Sequence, residues 1–192
     1  MDVSAIVLAG GRSSRFGGDK LSAPLDGETV LDRTVDMVGS VAVDIVIVTG
    51  VEGRAALPAG VRVAVDAEAD GGPLVGVVAG LEIAALPIVL IVGGDMPWLV
   101  PGVLAALLET LAPDHDAAAL EIEGHAQQLP IAVRREPALA AARILTAAGH
   151  RRLGALVEAL DTRLVPNVDW RRLDPDAATV RDVDVPGDLP GR

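Results

Sequence analysis

Short segments rich in β-branched residues alternate with longer segments rich in alanine and leucine along this 192-residue sequence. Such alternation predicts βα units, which build a mainly parallel sheet covered by helices on both faces. Several strand segments are apolar throughout, which is typical of strands buried on both faces. The predicted strands span residues 3–8, 44–48, 61–65, 87–92, 117–120, 129–133 and 163–165, and the predicted helices span residues 29–39, 74–85, 101–111, 137–147 and 152–160. We therefore expect a three-layer α/β/α fold of the Rossmann-like type.

The length and the charge of the chain restrict the partners that it can bind. At 192 residues it fits one α/β domain, residues 1–192, with a core built from aliphatic side chains. The formal net charge of −11 opposes binding to nucleic acid or to anionic membranes, and one Phe, two Trp and no Tyr provide no stacking platform for bases. The sequence has no cysteine and starts without a basic signal segment, so we expect a cytoplasmic protein without disulfides or thiolate metal sites.

Residues 8–20 follow the first predicted strand and combine four glycines with two serines, two arginines and one lysine. Glycines let backbone amides approach phosphate oxygens closely, and the cations offset the charge of a triphosphate that an acidic chain would otherwise repel. The segment lacks both the Gly-Lys-Ser/Thr ending of a P-loop and the Gly-x-Gly-x-x-Gly fingerprint of dinucleotide sites. A basic surface loop without a ligand is the alternative, but three cations at the carboxyl end of a strand favour a phosphate site.

Two acidic segments offer ligands for a hard cation such as Mg²⁺. Asp95 follows the apolar segment 87–92 after two glycines, at a strand end where ligands bind in α/β proteins. Its alternative role is to cap the helix that begins near Pro101. Asp182 and Asp184 are two residues apart, so they share one face if the segment is extended. A solvated acidic tail is the alternative there, and which of the two aspartates would bind the metal stays open.

The string LAGGRSSRFGGDK at residues 8–20 resembles the signature of the molybdenum cofactor guanylyltransferase family and its cytidylyl-transferring relatives, within the nucleotidyltransferase superfamily. The resemblance covers most of the chain and implies the fold of the nucleotide-diphospho-sugar transferases. It also implies that the nucleotide contacts the start of this loop, its lysine and two aspartates further along the chain. The implied substrate-binding residues are Leu8, Ala9, Gly10, Gly11, Lys20, Asp66 and Asp95.

The same resemblance implies a Mg²⁺ site at Asp95 and Asp184. It implies catalytic roles for Arg15, Lys20 and Asp95. Residues 94–97, Gly-Asp-Met-Pro, look like the family's metal-binding aspartate with the proline that follows it. Residues 182–189 depart from the family's Asn-Val-Asn-Thr-Pro-Glu-Asp-Leu, because aspartates replace both asparagines and Gly187 replaces an acid. Oxygen ligation survives the first change, although the added negative charge opposes triphosphate binding.

The function implied by the resemblance is transfer of GMP from GTP to molybdenum-bound molybdopterin, with release of pyrophosphate. The implied partners are GTP, or another nucleoside triphosphate, and a molybdopterin-type phosphate acceptor. The segments around Gln127, Arg151 and Arg152 resemble the family's acceptor side. Three alternatives stay open: the same chemistry with CTP, a different small phosphate acceptor, and a non-catalytic nucleotide-binding module. Transient contact with a protein that delivers or accepts the cofactor is also left open.

Overall fold

A seven-stranded sheet forms the centre of the computed structural model, which describes residues 2–10, 16–54, 56–66, 68, 71–111 and 113–189. In chain order the strands are β1 (Ser4–Leu8), β2 (Pro24–Leu25), β3 (Glu28–Thr29), β4 (Asp44–Gly50), β5 (Arg62–Asp66), β6 (Ile88–Gly93), β7 (Ala117–Ile122), β8 (His125–Arg134) and β9 (Thr162–Val165). The helices are α1 (Val30–Gly39), α2 (Pro73–Ile83), α3 (Pro101–Thr110), α4 (Arg135–Ala147), α5 (Leu153–Ala159) and α6 (Asn167–Trp170). Strands β2 and β3 pair with each other as a separate hairpin. Two predicted site residues, Gly11 and Arg15, lie outside the described residues.

The sheet order β5–β4–β1–β6–β8–β7–β9 confirms the predicted, mainly parallel sheet. Strand β8 runs antiparallel to β6 and β7, and the remaining neighbours are parallel. The carboxyl ends of β1, β4, β5 and β6 therefore meet at one edge, which the start of β8 also reaches. In α/β sheets this edge is where ligands bind.

Helices cover both faces of the sheet, so the molecule has the three predicted layers. Along β1, Ala5 and Val7 contribute to a core shared with α1 and α3, whereas Ile6 contributes to a core shared with α2, α4 and α5. This alternation follows from the two-residue period of a strand that is buried on both faces. Among the described helices, none combines the length and the apolar character that a bilayer crossing would require.

Some elements differ from the predicted boundaries. Strand β8 begins at His125, well before the predicted segment 129–133, because its first half carries polar side chains that form no apolar run. The β2–β3 hairpin and α6 have no predicted counterpart, since each is too short to show a periodic pattern. Helix α6 nevertheless buries Trp170, whose Nε1 donates a hydrogen bond to the carbonyl of Glu121 in β7 (3.0 Å). This contact anchors the start of the C-terminal segment on the sheet.

Candidate functional site

Three loops meet at the edge where the parallel strands end. The Gly94 amide donates a hydrogen bond to the Leu8 carbonyl (2.9 Å), which joins the loop after β6 to the end of β1. The Val183 amide donates to the Asp95 carbonyl (2.8 Å), which joins the C-terminal segment to the same loop. Glycine fits at position 94 because a Cβ atom there would lie 3.1 Å from the Leu8 oxygen. Backbone hydrogen bonds thus bring three distant parts of the chain together.

Lys20, the only lysine in the sequence, lies between the carboxylates of Asp95 and Asp184. Its Nζ is 2.7 Å from Asp95 Oδ2 and 3.3 Å from Asp184 Oδ1. The side chain of Lys20 is 18% exposed and that of Asp95 is 23% exposed, whereas Asp184 is half-exposed. Burial alone would lower the pKa of Lys20, but the hydrogen bonds and charges of the two aspartates outweigh it and raise the pKa above 10.5. The site therefore has a fixed positive charge at its centre.

The turn that carries Lys20 is a short 3-10 helix, Lys20–Ser22, capped by Asp19. Asp19 Oδ1 accepts a hydrogen bond from the Leu21 amide (3.2 Å), and Asp19 Oδ2 accepts one from the Ser22 hydroxyl (2.5 Å). Leu21 is buried in the core, so the turn is anchored on one side while Lys20 contacts the carboxylates on the other.

Asp95 projects from the turn after β6 towards Lys20 and does not cap helix α3. Helix α3 begins at Pro101 with Val100 at its N-cap position, and none of the described side chains caps it. The alternative role of Asp95 as a helix cap is therefore wrong. Its carboxylate is the closer of the two partners of the Lys20 ammonium.

The C-terminal segment 181–189 is docked on the protein and is not a solvated tail. Val183 is fully buried, and its neighbour Asp184 contacts the ammonium of the site. Asp188 Oδ2 accepts hydrogen bonds from the amides of Asp184 and Val185, both at 2.8 Å. These backbone hydrogen bonds lower the pKa of Asp188 and fold the end of the segment around its own carboxylate.

Asp182 lies at the rim of the same group of charges. Burial raises its pKa, and the negative charges of Asp184 and Asp95 raise it further against the opposing charge of Lys20. Asp184 makes the direct contact with the lysine ammonium. This geometry favours Asp184 over Asp182 as the second carboxylate of the site.

The two carboxylates that share Lys20 fit a hard divalent cation. Both supply oxygen ligands, and Mg²⁺ usually takes only one or two protein carboxylates and completes its shell with water and phosphate. In the described part of the chain, no group of three or more His, Cys, Asp or Glu side chains is arranged to hold a metal. Asp95 and Asp184 would therefore bind Mg²⁺ together with substrate phosphates, and their role as ligands stays a prediction.

Asp66 lies at the end of β5, close to Leu8 and to the first half of α2. A Cβ atom placed on Gly76 of α2 would lie 3.6 Å from Leu8 Cδ2 and 3.8 Å from Asp66 Oδ2. The other carboxylate oxygen, Oδ1, accepts a hydrogen bond from the Glu68 amide (3.0 Å), which is the ordinary turn role of an aspartate. Asp66 thus stabilises its own turn through one oxygen, and its other oxygen lies near Gly76 of α2.

The residues after β1 continue along the neighbouring strand β4. The Ala9 amide donates a hydrogen bond to the Val48 carbonyl (2.8 Å), and Gly10 follows beside Gly50, where a Cβ atom would lie 3.7 Å from the Gly50 amide nitrogen. Thr49, at the end of β4, is 1% exposed, and its Oγ1 has no hydrogen-bond partner within the described residues. Among the described residues this hydroxyl is therefore unpaired, and Thr49 lies between Val48 and Gly50, the two residues that contact Ala9 and Gly10.

A cavity of about 550 Å³ opens at the same edge of the sheet. Its lining includes Gln128 near the start of β8, and Arg151 and Arg152 in front of α5. The Arg151 guanidinium donates to Glu68 Oε1 (2.9 Å) and to the Thr146 carbonyl (3.0 Å). Of the two predicted acceptor-side arginines, Arg151 thus ties the loop after β5 to the loop after α4.

Two side chains next to the site were missed by the sequence reasoning, Asp19 and Arg54. Arg54 lies in the loop after β4, and its Nη2 is 2.5 Å from Asp19 Oδ2. The position of Asp19 directly before the lysine was the one available signal. Nothing in the sequence places the loop after β4 against residues 8–20, because that contact depends on β4 lying beside β1 in the sheet.

Comparison with known sequences connects this geometry to a protein family. The chain matches the family model of the MobA-like NTP transferase domain over residues 5–165. It is 36% identical over 196 residues to a probable molybdenum cofactor guanylyltransferase from Chloroflexus aggregans, covering 98% of this chain and 92% of that protein. It is also 36% identical over 152 residues to a molybdenum cofactor guanylyltransferase from Pseudomonas putida, covering 78% of this chain and 79% of that protein.

Solved structures with related names share the fold. Molybdopterin-guanine dinucleotide biosynthesis protein A from Archaeoglobus fulgidus superposes with a TM-score of 0.81 at 21% identity, covering 97% of this chain and 94% of that chain. A 2-C-methyl-D-erythritol 4-phosphate cytidylyltransferase from Thermus thermophilus superposes with a TM-score of 0.72 at 20% identity, covering 98% and 96%. At these identities the similarity establishes the fold alone, and it confirms the predicted fold class.

Proposed function

The chain belongs to the family of MobA-like NTP transferase domains and is a nucleotidyltransferase, and from this premise we propose that it transfers GMP from GTP to the phosphate of molybdenum-bound molybdopterin. The products would be the guanine dinucleotide form of the cofactor and pyrophosphate. The observation that carries the proposal is the convergence of Lys20, Asp95 and Asp184 beside the end of β1. The joining of two phosphates requires positive charge, and carboxylate oxygens at the same point can hold a divalent cation that adds to it. The names of the similar guanylyltransferases favour GTP as the donor.

We assign nucleotide binding to the end of β1 and to the residues around it. Residues 8–10 would contact the nucleotide through their backbone, and Asp66 would contact it through Oδ2, the oxygen that lies near Gly76. Gly11 and Arg15, outside the described residues, keep their assignment to the nucleotide and its phosphates by family resemblance.

Asp95 and Asp184 would hold Mg²⁺, which supplies neutralisation of the charge on the triphosphate and on the departing pyrophosphate. The role of Lys20 is to contact the triphosphate and to reduce its repulsion of the second, anionic substrate. The partial burial of Lys20 strengthens this effect, since charges interact more strongly where water is excluded.

The proposed transfer needs no general base in the protein. The second pKa of a phosphate monoester is about 6, so the acceptor phosphate is mostly a dianion at neutral pH. One of its oxygens attacks the α-phosphorus of GTP and forms the new phosphorus–oxygen bond. The bond from the α-phosphorus to the oxygen that bridges it to the β-phosphate breaks, and pyrophosphate leaves with that electron pair. The protein contributes mainly by aligning the two anions and by offsetting their charge.

We assign the acceptor to the cavity beside Gln128 and Arg152. The cavity lies at the same edge of the sheet as Lys20, and its volume of about 550 Å³ suits a small organic molecule. Arg152 in its lining supplies positive charge for an anionic acceptor, whereas Arg151 is paired with Glu68, and Glu158 also lines the cavity.

A pyrophosphate-release assay tests the proposal. GTP, CTP, ATP and UTP are supplied in turn with Mg²⁺ and molybdenum-bound molybdopterin, and we expect release with GTP. Asp95→Asn should reduce turnover at least about 100-fold, because one metal ligand and one partner of Lys20 are weakened. Its circular dichroism spectrum should match that of the wild-type protein.

The matched control is Asp161→Asn. Asp161 is also an aspartate in an ion pair, with His115 Nδ1 at 3.0 Å, but it precedes β9 and lies at the opposite edge of the sheet. We expect wild-type turnover for this variant. Release with CTP in place of GTP would support the cytidylyl alternative, and wild-type turnover of Asp95→Asn would refute the metal assignment.

A further inference from the structure

We propose that Arg54 is a positioning residue of the nucleotide site, which clamps the turn that carries Lys20 from the loop after β4. The inference rests on the proposed contact between Lys20 and the triphosphate. Arg54 acts through Asp19 and Ser22, and none of these three residues belongs to the set assigned above to nucleotide, metal or acceptor.

Arg54 reaches both ends of the turn with a single nitrogen. Its Nη2 lies 2.5 Å from Asp19 Oδ2 and donates a hydrogen bond to Ser22 Oγ at 3.0 Å. The Ser22 hydroxyl donates to the same oxygen, Asp19 Oδ2, so the three side chains form a closed ring of contacts. Lys20 lies between Asp19 and Ser22 in the chain, and a shift of either residue would move the lysine backbone.

The turn has little stability of its own. The 3-10 helix Lys20–Ser22 contains three residues, and the backbone hydrogen bonds from the amides of Ser22 and Ala23 are both 3.2 Å long. Short 3-10 segments have poorer hydrogen-bond geometry than α-helices. Two glycines precede Asp19 and leave the backbone on that side with wide conformational freedom. Side-chain contacts therefore have to hold the turn in place.

The ion pair between Arg54 and Asp19 suits this task. The Arg54 side chain is only 12% exposed, and its Nη2 makes both contacts, whereas its Nε has no hydrogen-bond partner within the described residues. Burial alone would raise the pKa of Asp19, but the hydrogen bonds from Ser22 and Arg54 and the charge of Arg54 outweigh it and lower the pKa below 3.8. Asp19 is therefore ionised at neutral pH. Its contact with Arg54 is a charge-assisted hydrogen bond, which is stronger than one between neutral groups.

Loss of the clamp should act on nucleotide binding more than on overall folding. Lys20 Nζ has to remain within hydrogen-bond distance of its partners, and a small displacement of the turn changes that distance directly. The Michaelis constant for the triphosphate should therefore rise more than the turnover number falls.

Arg54→Ala and Arg62→Ala form a matched pair of variants. Arg62, at the start of β5, also pairs with an aspartate, since its Nη2 is 2.6 Å from Asp44 Oδ1, but this pair lies at the opposite edge of the sheet. The full-length wild-type protein and both variants are compared by hydrogen–deuterium exchange without ligand and by titration with GTP, CTP and ATP in Mg²⁺. We expect Arg54→Ala to exchange the amides of residues 21–23 about tenfold faster and to bind the triphosphate about tenfold more weakly. We expect wild-type values from Arg62→Ala in both measurements.

A double-mutant cycle shows whether Arg54 acts through Asp19. Asp19→Asn keeps an acceptor for the Leu21 amide and removes the charge that pairs with Arg54. In that background, Arg54→Ala should change triphosphate affinity by less than about threefold, because the interaction between the two residues is already lost. A full tenfold loss in the Asp19→Asn background would overturn the positioning role.

Two further outcomes decide the inference. Unchanged exchange of residues 21–23 in Arg54→Ala, or faster exchange with unchanged triphosphate affinity, would overturn it. If the wild-type protein binds none of the triphosphates, the proposed function fails, and the nucleotide role of Arg54 fails with it. The exchange measurement needs no ligand, so it separates a failure of the clamp from a failure of the proposed function.

Discussion

The Lys20 ammonium occupies the place between Asp95 and Asp184 at which two carboxylates would hold a divalent cation. Lysine suits this position because its ammonium is a compact charge on a flexible stem, whereas arginine is a planar fork with a fixed geometry. Lys20 is the only lysine among the lysines and arginines of the sequence. The single lysine is therefore found where a small, mobile cation is useful. On the proposed function, Lys20 would neutralise the two aspartates until the nucleotide and its metal bind.

Lys20→Met should change metal and nucleotide affinity in opposite directions. Without nucleotide, the affinity for Mn²⁺ should rise about tenfold, because a competing cation has been removed from the two carboxylates. Binding of GTP with Mg²⁺ should weaken about tenfold, because the triphosphate loses a positive partner. Electron paramagnetic resonance of free Mn²⁺ measures the first effect and calorimetry the second. A fall in Mn²⁺ affinity would contradict the inference that Lys20 and the metal compete for the two carboxylates.

At the scale of elements, helix α2 approaches the Ile6 side chain of β1 most closely at Gly80, a residue that has no side chain of its own. A Cβ atom on Gly80 would lie 2.8 Å from Cγ2 of Ile6, which is fully buried. This close packing sets the height of α2 over the sheet, and with it the distance from Gly76 to Leu8 and Asp66. Close packing, and not an unusual backbone conformation, is therefore the reason for glycine in α2.

Gly80→Ala should lower the free energy of unfolding by about 1–3 kcal/mol, as overpacked cores do. Alanine is favoured over glycine inside a helix by about 1 kcal/mol, but the overlap with Ile6 outweighs this gain because a buried, β-branched side chain has little freedom to move. Urea unfolding measures the difference. Gly102→Ala in α3 is the control, since the nearest atom to a Cβ there is Leu173 Cδ2 at 4.0 Å. The free energy of unfolding of that variant should be unchanged or slightly higher. An equal loss of this free energy in both variants would contradict the packing argument.

Asp44 joins three elements at the edge of the sheet opposite the site. It accepts hydrogen bonds from Ser4 Oγ (2.5 Å), from Arg62 Nη2 (2.6 Å) and from the Ala85 amide (3.0 Å). Burial alone would raise its pKa, but the hydrogen bonds from Ser4 and Arg62 and from the Ala85 amide, with the charge of Arg62, outweigh it and lower the pKa below 3.8. A carboxyl group with a lowered pKa in the folded state contributes stability above its unfolded pKa, and this contribution is lost as the pH falls through the folded pKa.

Asp44→Asn should therefore destabilise the protein at pH 7 and matter little in acid. We expect a loss of about 1–3 kcal/mol at pH 7, because hydrogen bonds to a charged group are replaced by weaker ones. The difference between wild type and variant should shrink as the pH falls below about 4. Urea unfolding at pH 7, 5 and 3 measures it, and a difference that stays constant over this range would sink the prediction.

At the scale of the whole molecule, the C-terminal segment carries Asp184 across to the turns that follow β1 and β6. Helix α6 anchors the segment through Trp170, and Asp174 then holds the following 3-10 helix, Ala178–Val180. The buried Asp174 carboxylate accepts hydrogen bonds from the amides of Ala178 (2.9 Å) and Thr179 (2.7 Å). Each of these contacts shortens the unanchored length of chain before Asp184. The position of Asp184 is therefore set by contacts far from the site.

Asp174→Ala should loosen this segment and weaken the site at a distance. The variant leaves two amides without their acceptor, so we expect a loss of about 1–3 kcal/mol in the free energy of unfolding. Mn²⁺ affinity in the presence of GTP should also fall, because Asp184 is less well fixed. Asp176→Ala, two residues away and exposed, should match the wild type in both measurements. A stable Asp174→Ala variant with normal metal affinity would show that the segment is held by other contacts.

Local sequence patterns predicted the strands that are buried on both faces and the residues at their ends. Strand β6 is buried at every position, as its apolar run indicates, and Asp95 follows it where a ligand-binding residue was expected. The polar first half of β8 was not predicted, because its side chains carry no apolar period. The sequence does not decide between the alternative roles of Asp95 and Asp184, because a helix cap, a solvated tail and a metal ligand all use the same aspartate side chain.

The sequence by itself determined the α/β class, the loop at residues 8–20 and the acidic strand-end residue Asp95, because each depends on residues that are close in the chain. Only the tertiary structure decided that Lys20 meets Asp184, a residue 164 positions away, and that Arg54 reaches the turn around Lys20. These contacts depend on β1 lying between β4 and β6 and on the path of the C-terminal segment. Strand order and chain path arise from packing over the whole molecule, which no short segment of sequence contains.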